Sequence, residues 1–466
     1  MAMGTRQRRQ RQQPLWVATA EIPRSAAHPF YQRLNQLLDE HGFDLFVEKI
    51  CAKFYDEHMG RPGVTPGIYF RLLLLGYFEG IDSERGIAWR AADSLSLRQF
   101  LSIELDEAPP DHTTISRTRR LIDVETHQEV FGWVVRVLAK KGLVKGTTVA
   151  VDATTLEANA AMRSIVRRDT GETYAEFLTK LAKESGIETP TREQLGRLDR
   201  KRKKRTSNEE WVNPHDPDAK VAKMKDGSTH LAHKVEHAVD LETGAIVAVT
   251  VQEADRGDTT TIVETVAEAG ERIAEVAAEV NEEEGGETVN PEGPREVVTD
   301  KGYHSNAVVL GLQEAGVRSY IPEPDRGARN WEGKRAEQAA VYGNRRRIRG
   351  RRGKRLLRRR GELLERSFAH LYYTGRMRRT HLRRHKNILK RIVIHASAFN
   401  LSLILRGMLK VGTPRGLQGR SCGLLGFILT LWERFGRAWG QRWVEGDPNS
   451  GMVTFSASLP YLLRVA

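Results

Sequence analysis

Two apolar, β-branched segments of this chain each end in an aspartate, and 148 residues separate the two acids. Asp152 ends the segment TTVAVD, and Asp300 ends the segment REVVTD. Alternating β-branched residues before a turn predict strands, so each carboxylate is expected at or near the face of a sheet. The separation is far too long for a local motif, so only the fold can bring the two acids together.

The segments around these strands predict a mixed α/β sheet flanked by helices. THLAHKVEHAVD and AIVAVTVQEAD are joined at LETG, which predicts a hairpin. TTIVETVAEAGERIAEVAAEV has the apolar spacing of a helix. Strands and helices in this order belong to the layered α/β class. The later predicted elements are a short helix in SNAVVLGLQEAG, a short strand in VRSYIP, and helices at 357–372 and roughly 381–410.

The N-terminal part predicts a separate, all-helical domain. Thr65-Pro66 predicts a helix start, with Thr as the N-cap and Pro in the first turn. Thr126 and Glu129 predict a capping box that opens another helix, which Gly142 ends. The predicted division is a disordered basic tail at 1–27, a helical domain at 28–145, an α/β domain at 146–410 with an insertion at about 163–228, and an extension of unknown role at 411–466.

Positive charge is concentrated in one part of the chain. The net charge is +14, and residues 345–391 hold 20 Lys and Arg against two acids, so the remainder is slightly acidic. A concentrated basic block predicts a polyphosphate partner, above all nucleic acid. A solvated charged face and a patch for anionic membranes are the alternatives.

Cysteines and apolar runs exclude several other classes. Cys51 and Cys422 are far apart and have no metal-site spacing, so neither a disulfide framework nor a zinc site is expected, and a reducing cytoplasm fits. The longest apolar run, near 422–432, is too short to span a bilayer. No membrane partner is therefore expected.

A third acid, Glu365, lies in the segment LLERSFAH on a predicted basic helix. Carboxylate oxygens are the ligands that Mg²⁺ prefers, and two ions about 3.5–4 Å apart can activate an attacking oxygen and stabilise a leaving one. Asp152, Asp300 and Glu365 therefore predict a divalent-metal site for phosphodiester chemistry. The alternative is structural, because strand-end aspartates often cap turns and a helical glutamate often pairs with a nearby arginine.

The chain resembles bacterial insertion-sequence transposases of the DDE type. The resemblance lies in VAVDATTLEAN, HKVEHAVDLETGAIVAV, VVTDKGYHS and ERSFAHLYYTGRMRR, and in the N-terminal stretch from GVTPGIYFRLLLLGYFEG to DHTTISRTRR. It implies a ribonuclease-H-like catalytic domain at 146–410 and a helical N-terminal transposase domain for DNA-end binding and assembly. It also implies that Asp152, Asp300 and Glu365 are the catalytic, metal-binding triad.

The resemblance further implies a reaction and its partners. Water cleaves the DNA at the transposon ends, and the freed 3′ hydroxyl attacks the target. The expected partners are two Mg²⁺ (or Mn²⁺) ions per site, double-stranded DNA as terminal inverted repeats and target, and a second copy of the chain in a homodimer or larger assembly on DNA. No nucleotide cofactor is expected, and the expected location is the bacterial cytoplasm with the nucleoid. A ribonuclease-H-like nuclease without strand transfer and a non-catalytic DNA-binding regulator remain alternatives.

One signature of the related transposases is altered in this chain. Those enzymes often carry an Arg four residues before the glutamate and a Lys seven residues after it, where this chain has Gly361 and Tyr372. Arg360 lies one residue from the first position, and Arg376 is a candidate substitute for the lysine. The residues predicted to contact DNA are Lys301, Tyr303, Arg360, Tyr372, Arg376, Arg378, Arg379, Arg383, Arg384, Lys386, Arg117 and Arg120.

Some of these DNA contacts have structural alternatives. Tyr303 either stacks near a flipped base or packs under its loop. Lys301 either contacts phosphate or is a solvated loop lysine. Arg117 and Arg120 belong either to a DNA-reading helix or to a charged surface helix.

Three histidines, His230, His233 and His237, are weak candidates for a metal site. His233 and His237 share a strand face that His230 does not, which is poor ligand geometry. A DNA contact by His237, or a plain sheet histidine, is the expected reading. Asn159 either fixes the loop after Asp152 or belongs to a turn.

Overall fold

The computed structural model of the protein describes residues 27–56, 63–201, 207–224, 227–325, 327 and 329–418. The described residues up to Pro414 form one compact unit. The predicted disordered tail, apart from residue 27, lies outside the described residues. So do Cys422, the apolar run near 422–432 and most of the C-terminal extension.

Seven helices form the N-terminal part among the described residues. Pro66 stands at the first position of α3, and nearly every side chain of this helix is buried, as its apolar sequence predicts. The predicted capping box of α7 is wrong, because Asp123 is the N-cap and its side chain accepts from the Thr126 N–H at 2.8 Å. The helices are α1 Pro29–Glu40, α2 Phe43–Cys51, α3 Pro66–Glu79, α4 Glu84–Asp93, α5 Leu95–Phe100, α6 His112–Leu121 and α7 Val124–Lys140.

A six-stranded mixed sheet follows. Its path runs β4-β5-β1-β7-β8, and β6 pairs with β5. The pairings β1–β7 and β7–β8 are parallel, and those of β5 with β1, β4 and β6 are antiparallel, so the predicted mixed sheet and its β5–β6 hairpin are confirmed. The strands are β1 Thr148–Glu157, β4 Lys220–Lys223, β5 Thr229–Asp240, β6 Ile246–Glu253, β7 Glu296–Val298 and β8 Arg318–Tyr320.

Helices cover both faces of this sheet. Successive side chains of a strand point to opposite faces, so Glu236 of β5 meets one helix, α10, while His237 meets another, α13. The last long helix, α14, lies on the His237 side, where His385 at its start packs against His233. The helices after the hairpin are α10 Asp258–Glu284, α11 Asn306–Glu314, α12 Arg335–Arg349, α13 Arg351–Ala369, α14 His385–Leu409 and α15 Arg415–Gln418.

Two of these helices differ in extent from their predicted bounds. The helix predicted at 357–372 begins earlier, at Arg351, because arginine is a good helix former and continues the basic segment as helix. The helix predicted at 381–410 begins at His385, after Arg384 takes a φ of 69°. A π-helical turn at His370–Thr374 ends α13.

Helix α14 links the N-terminal helices to the sheet. The Lys390 ammonium donates to the carbonyl oxygens of Arg119 and Ile122 at 2.9 and 2.7 Å, and thereby caps the end of α6. Asn400 of the same helix bonds the backbone of Ile246 in β6. Within the described residues α14 alone is long and apolar enough to cross a bilayer, but 72% of its apolar window is buried, as in a central core helix.

The predicted insertion packs around a small core that it shares with the end of β1 and the start of β5. α8 (Tyr174–Glu184) and α9 (Arg192–Lys201) lie in the insertion, and β2 (Val166–Arg167) pairs with β3 (Trp211–Val212). The rest of the insertion adds β4 to the edge of the main sheet. The buried residues of this core are Ala158, Ile165, Trp211, Ala219 and Leu231.

Candidate active site

Asp152 and Asp300 lie at the same edge of the sheet. Ala150 and Val298 are the last paired residues of the parallel strands β1 and β7, and each aspartate follows two residues later. In parallel strands, residues that follow matching paired positions lie side by side, although β1 itself continues past Asp152 to Glu157 and Asp152 does not end its strand as predicted. The two acids that the sequence places 148 residues apart therefore become neighbours through one strand pairing.

Both carboxylate oxygens of Asp152 are already bonded. Oδ2 lies 2.6 Å from the Nη2 of Arg360, and Oδ1 accepts from the Ala153 N–H at 2.9 Å. The side chain of Asp152 is 27% exposed and that of Arg360 is 16% exposed. Arg360, predicted as a DNA contact, is thus a partner of Asp152 in this structure.

Asp300 begins a tight turn over Lys301–Tyr303. Its Oδ1 accepts from the Gly302 N–H at 2.9 Å. A Cβ at position 302 would lie 2.7 Å from Oδ2 of Asp258 and 3.1 Å from Oδ1 of Asp300, so any other residue there would have to displace these carboxylates. The carboxylates of Asp258 and Asp300 consequently border one small space beside Gly302.

Glu365 does not join these acids. It is exposed on α13, and at about 100° per residue it points roughly 140° around the helix from Arg360. The ring of Phe368 stacks on His237 at 4.5 Å and fixes the rotation of α13 in this sense. Among the described residues, no group of three or more acids, histidines or cysteines lies close enough to hold a metal ion. The convergent triad therefore remains a prediction.

The donor chemistry at the sheet edge nevertheless fits a divalent cation. Asp152 and Asp300 offer hard carboxylate oxygens of the kind that Mg²⁺ and Mn²⁺ take, and the space beside Gly302 would be filled by any side chain there. One cation, the Arg360 guanidinium, already neutralises Asp152.

Two family models match the chain. The Transposase domain (DUF772) matches residues 18–121, and the Transposase DDE domain matches residues 145–401, which is more than half of the chain. The chain belongs to the DDE transposase family. It is accordingly a DNA transposase of the insertion-sequence kind, a nucleic-acid-processing enzyme with a ribonuclease-H-like fold that binds DNA. No curated protein matches the chain.

Beneath the site, the transposase carries a buried polar network that sequence reasoning missed. Glu236 is fully buried, and it accepts from the hydroxyls of Thr261, Thr265 and Tyr303 and pairs with Lys234 at 3.1 Å. Lys234 in turn lies 2.6 Å from Oδ1 of Asp258. Lys234 and Glu236 inside the strand HKVEHAVD were the available signal, because buried charges are expected to be paired.

Tyr303 and Tyr372 are buried, so their prediction as DNA contacts is wrong for this structure. Tyr303 packs under its loop, the alternative that the sequence left open, and burial followed by the nearby Glu236 raises the pKa of its hydroxyl. The ring of Tyr372 lies against His237 and Phe368. Long-range packing partners, invisible in the local motif, bury both rings.

The predicted basic loop after α13 is exposed. Arg378 lies over the ring of Tyr373 at 5.3 Å, Arg379 lies 3.6 Å from Glu157, and Arg383 donates to the Asn159 carbonyl at 3.4 Å. The Arg384 N–H donates to Asp216. The predicted DNA contacts in this loop, Arg376, Arg378, Arg379, Arg383 and Arg384, are all exposed, and so is Lys386 in the first turn of α14.

The remaining predicted DNA contacts lie outside this loop. Lys301, Arg117 and Arg120 are exposed, and Arg119 between the last two is buried against Glu84 at 2.7 Å. Asn159 fixes its loop by donating to the His381 carbonyl at 3.1 Å.

The three histidines of β5 do not share a site. His233 bonds Asp216 at 3.2 Å, and His230 lies 3.8 Å from Glu157. His237 is fully buried and packs against Phe368, and its burial lowers its pKa to about 3.

Proposed function

We propose that this transposase cleaves phosphodiester bonds at transposon ends and joins the freed 3′ hydroxyl to target DNA, with Asp152, Asp300 and, once α13 turns it toward them, Glu365 holding two Mg²⁺ or Mn²⁺ ions. The main support is the parallel pairing of β1 and β7, which sets Asp152 and Asp300 side by side. Divalent cations held there would activate the attacking oxygen and stabilise the leaving one.

The chemistry needs no energy-carrying cofactor. In the first step, a water oxygen attacks phosphorus, the P–O3′ bond breaks, and a 3′ hydroxyl and a 5′ phosphate result. In the second, that 3′ hydroxyl attacks a target phosphate and the P–O3′ bond of the target breaks, so one phosphodiester replaces another, and the proton lost by the attacking hydroxyl is balanced by one taken up at the leaving 3′ oxygen. The carboxylates would hold the cations that orient the reacting phosphate, and no covalent enzyme–DNA intermediate forms.

An exposed basic stripe on α13 supports delivery of DNA to Glu365. Arg351, Lys354 and Arg358 follow each other at spacings of three and four residues, which places them on one face. The same spacing continues through Gly361 to Glu365. A Cβ at Gly361 would touch nothing within 4 Å, so the stripe has open space beside Glu365. A DNA backbone bound along the stripe would bring a phosphate to Glu365.

The exposed loop after α13 supplies a second set of cations near the start of the insertion. In this proposal the loop grips the terminal inverted repeat, and Arg117 and Arg120 on α6 extend the same DNA contact. Joining two transposon ends in one reaction requires two active sites, so the active form is a homodimer or larger assembly on DNA.

The deciding experiment incubates the full chain with Mg²⁺, a linear DNA containing the sequence that flanks its gene, and a supercoiled target plasmid. We expect nicks at the ends and joined products. Asp152→Asn, Asp300→Asn and Glu365→Gln each remove both products while DNA binding persists. Cleavage without joined products would identify a nuclease instead. DNA binding without any cleavage would identify a regulator.

The basic stripe has its own test. We expect the triple variant Arg351→Gln, Lys354→Gln, Arg358→Gln to flatten the dependence of log K on log salt by about 2 to 3, since each lost phosphate contact removes about 0.9 from the slope. The control replaces three exposed cations of α8 and α9, Lys180, Lys183 and Arg192, with glutamine. Equal slopes for the two triple variants would rule out the stripe as a DNA track.

A further inference from the structure

Arg360 holds the position at Asp152 that a metal ion would need. Its Nη2 lies 2.6 Å from Oδ2 of Asp152, and the two side chains are 16% and 27% exposed. The remaining carboxylate oxygen already accepts from the Ala153 N–H. A cation arriving at Asp152 would therefore meet a carboxylate that a guanidinium has neutralised.

The rotation of α13 puts Arg360 there. Arg360, Leu364 and Leu371 recur at spacings of four and seven residues and face the sheet, and both leucines are buried. Phe368 stacks on His237, which is the residue directly opposite Asp152 on β5. The same packing that orients α13 thus aims Arg360 at Asp152.

Arg360 and a metal ion cannot share Asp152 at low cost. Mg²⁺ takes carboxylate oxygens at about 2.0–2.1 Å, so it would stand within a few ångströms of the guanidinium bonded to the same carboxylate. Like charges at that separation repel strongly where water is largely excluded. Either the ion stays out or Arg360 moves.

Arg360 has the means to change partner. Its Nε is buried and has no hydrogen-bond partner among the described residues. Gly361 beside it leaves open space. A phosphate group accepts two parallel N–H bonds from a guanidinium, so a DNA phosphate is a natural competitor for this side chain.

We propose that Arg360 occupies the cation position of Asp152 in the DNA-free transposase, and that a DNA phosphate draws it away, so that metal binding at Asp152 depends on DNA. Arg360 is thereby a positioning residue that keeps the metal site closed until DNA is bound. The proposal rests on the proposed function, because it takes Asp152 as a metal ligand.

The test measures Mn²⁺ binding by electron paramagnetic resonance of the free ion, with and without a mixed-sequence DNA duplex. We expect Arg360→Gln without DNA to bind Mn²⁺ at least about tenfold more tightly than the wild type, because removing one neighbouring charge in a partly dry site is worth that much. The duplex should tighten Mn²⁺ binding by the wild type and leave Arg360→Gln nearly unchanged. Arg349→Gln, an exposed residue of α12 with the same charge change, is the control and should match the wild type.

Two outcomes would overturn the proposal: unchanged or weaker Mn²⁺ binding by Arg360→Gln, and a duplex effect of equal size in both proteins. Arg360→Lys keeps the charge but loses the planar fork, and should bind Mn²⁺ with intermediate affinity; it serves if the glutamine variant does not fold. Asp152→Asn separates the two levels. If it binds Mn²⁺ as the wild type does, the proposed metal site itself fails. If it loses Mn²⁺ while Arg360→Gln gains nothing, only the exchange fails.

Discussion

Two carboxylates on neighbouring strands, Glu236 and Asp152, stand at adjacent register positions and face opposite sides of one sheet. Glu236 lies opposite Ala153, the residue after Asp152. Glu236 is fully buried and accepts from three hydroxyls besides its ion pair with Lys234. Asp152 is 27% exposed, pairs with the Arg360 guanidinium and accepts from the Ala153 N–H.

The difference favours a structural role for Glu236 and supports the proposed metal-binding role of Asp152. Three hydroxyls and Lys234 hold the buried Glu236 carboxylate, and removing any of these partners leaves an unsatisfied polar group. Asp152 instead lies beside solvent, and its ion pair joins two side chains that can part. A partly exposed carboxylate held by an ion pair that can part is open to a metal ion, while a fully buried one held by several donors is not.

The largest expected effect is the loss of DNA cleavage when Asp152 is replaced. Asp152→Asn should lower the rate of DNA cleavage by roughly a thousandfold or more, because it removes a charged ligand of the reacting centre. Its thermal midpoint should stay close to that of the wild type, since the side chain is partly exposed. The assay is end cleavage in Mg²⁺, with Asp93→Asn, an exposed aspartate of α4, as the control. An Asp152→Asn protein that cleaves at the wild-type rate would remove the distinction between the two acids.

Replacing the buried Glu236 should instead lower the free energy of unfolding. Glu236→Ala leaves the hydroxyls of Thr261, Thr265 and Tyr303 without their acceptor and Lys234 with one anion fewer, at a cost of about 3 kcal/mol. Urea denaturation measures it. Glu236→Gln retains an acceptor oxygen and should lose less, and Glu282→Ala on the exposed end of α10 should lose almost nothing. Equal stability for all three variants would contradict a structural role for Glu236.

The buried His237, which lies opposite Asp152 on the same face of the sheet, makes the stability of the protein depend on pH. Burial lowers its pKa to about 3, below the ordinary value of 6.5, so protonation opposes folding. This contribution to stability is complete above pH 6.5 and is lost as the pH falls toward 3. The loss of unfolding free energy between pH 7 and pH 5 is about 2 kcal/mol.

The corresponding variant is His237→Phe, whose urea midpoint should fall less between pH 7 and pH 5 than that of the wild type. The buried His127 and His395 also have lowered pKa values, so the pH dependence should shrink rather than vanish. His112→Gln, a partly exposed histidine of α6, should leave the wild-type dependence intact. A variant as sensitive to acid as the wild type would show that His237 is not held neutral.

Local patterns were sufficient to predict β1, the β5–β6 hairpin, β7, β8 and the layered fold, but not the strands of the insertion. Alternation marks the strand end before Asp300 correctly, whereas β1 continues past Asp152 to Glu157, and the family's ribonuclease-H-like fold agrees with the observed mixed sheet. The rotation of α13 could not be predicted from the sequence, because the contact of Phe368 with His237 determines it and these residues are far apart in sequence. The direction of Glu365, on the exposed face, follows from that rotation.

Tyr303 shows the same limit on a smaller scale. It follows Asp300 closely, so its position alone favours a role at the DNA. Its hydroxyl instead donates to Glu236 at 3.2 Å, a contact between residues 67 positions apart. No local spacing reports such a bond, and only the packing of the loop against β5 creates it.

The smallest expected effect tests this assignment directly. Tyr303→Phe keeps the buried ring and removes one hydroxyl from the set around Glu236, so it should cost about 1 kcal/mol of stability. DNA affinity, measured by fluorescence anisotropy, should stay within about twofold of the wild type, because a phenyl ring under the loop does not reach a base. Tyr373→Phe, on an exposed tyrosine, should change neither quantity. Weakened DNA binding with unchanged stability would show that Tyr303 contacts DNA and that its hydroxyl does not stabilise the buried Glu236.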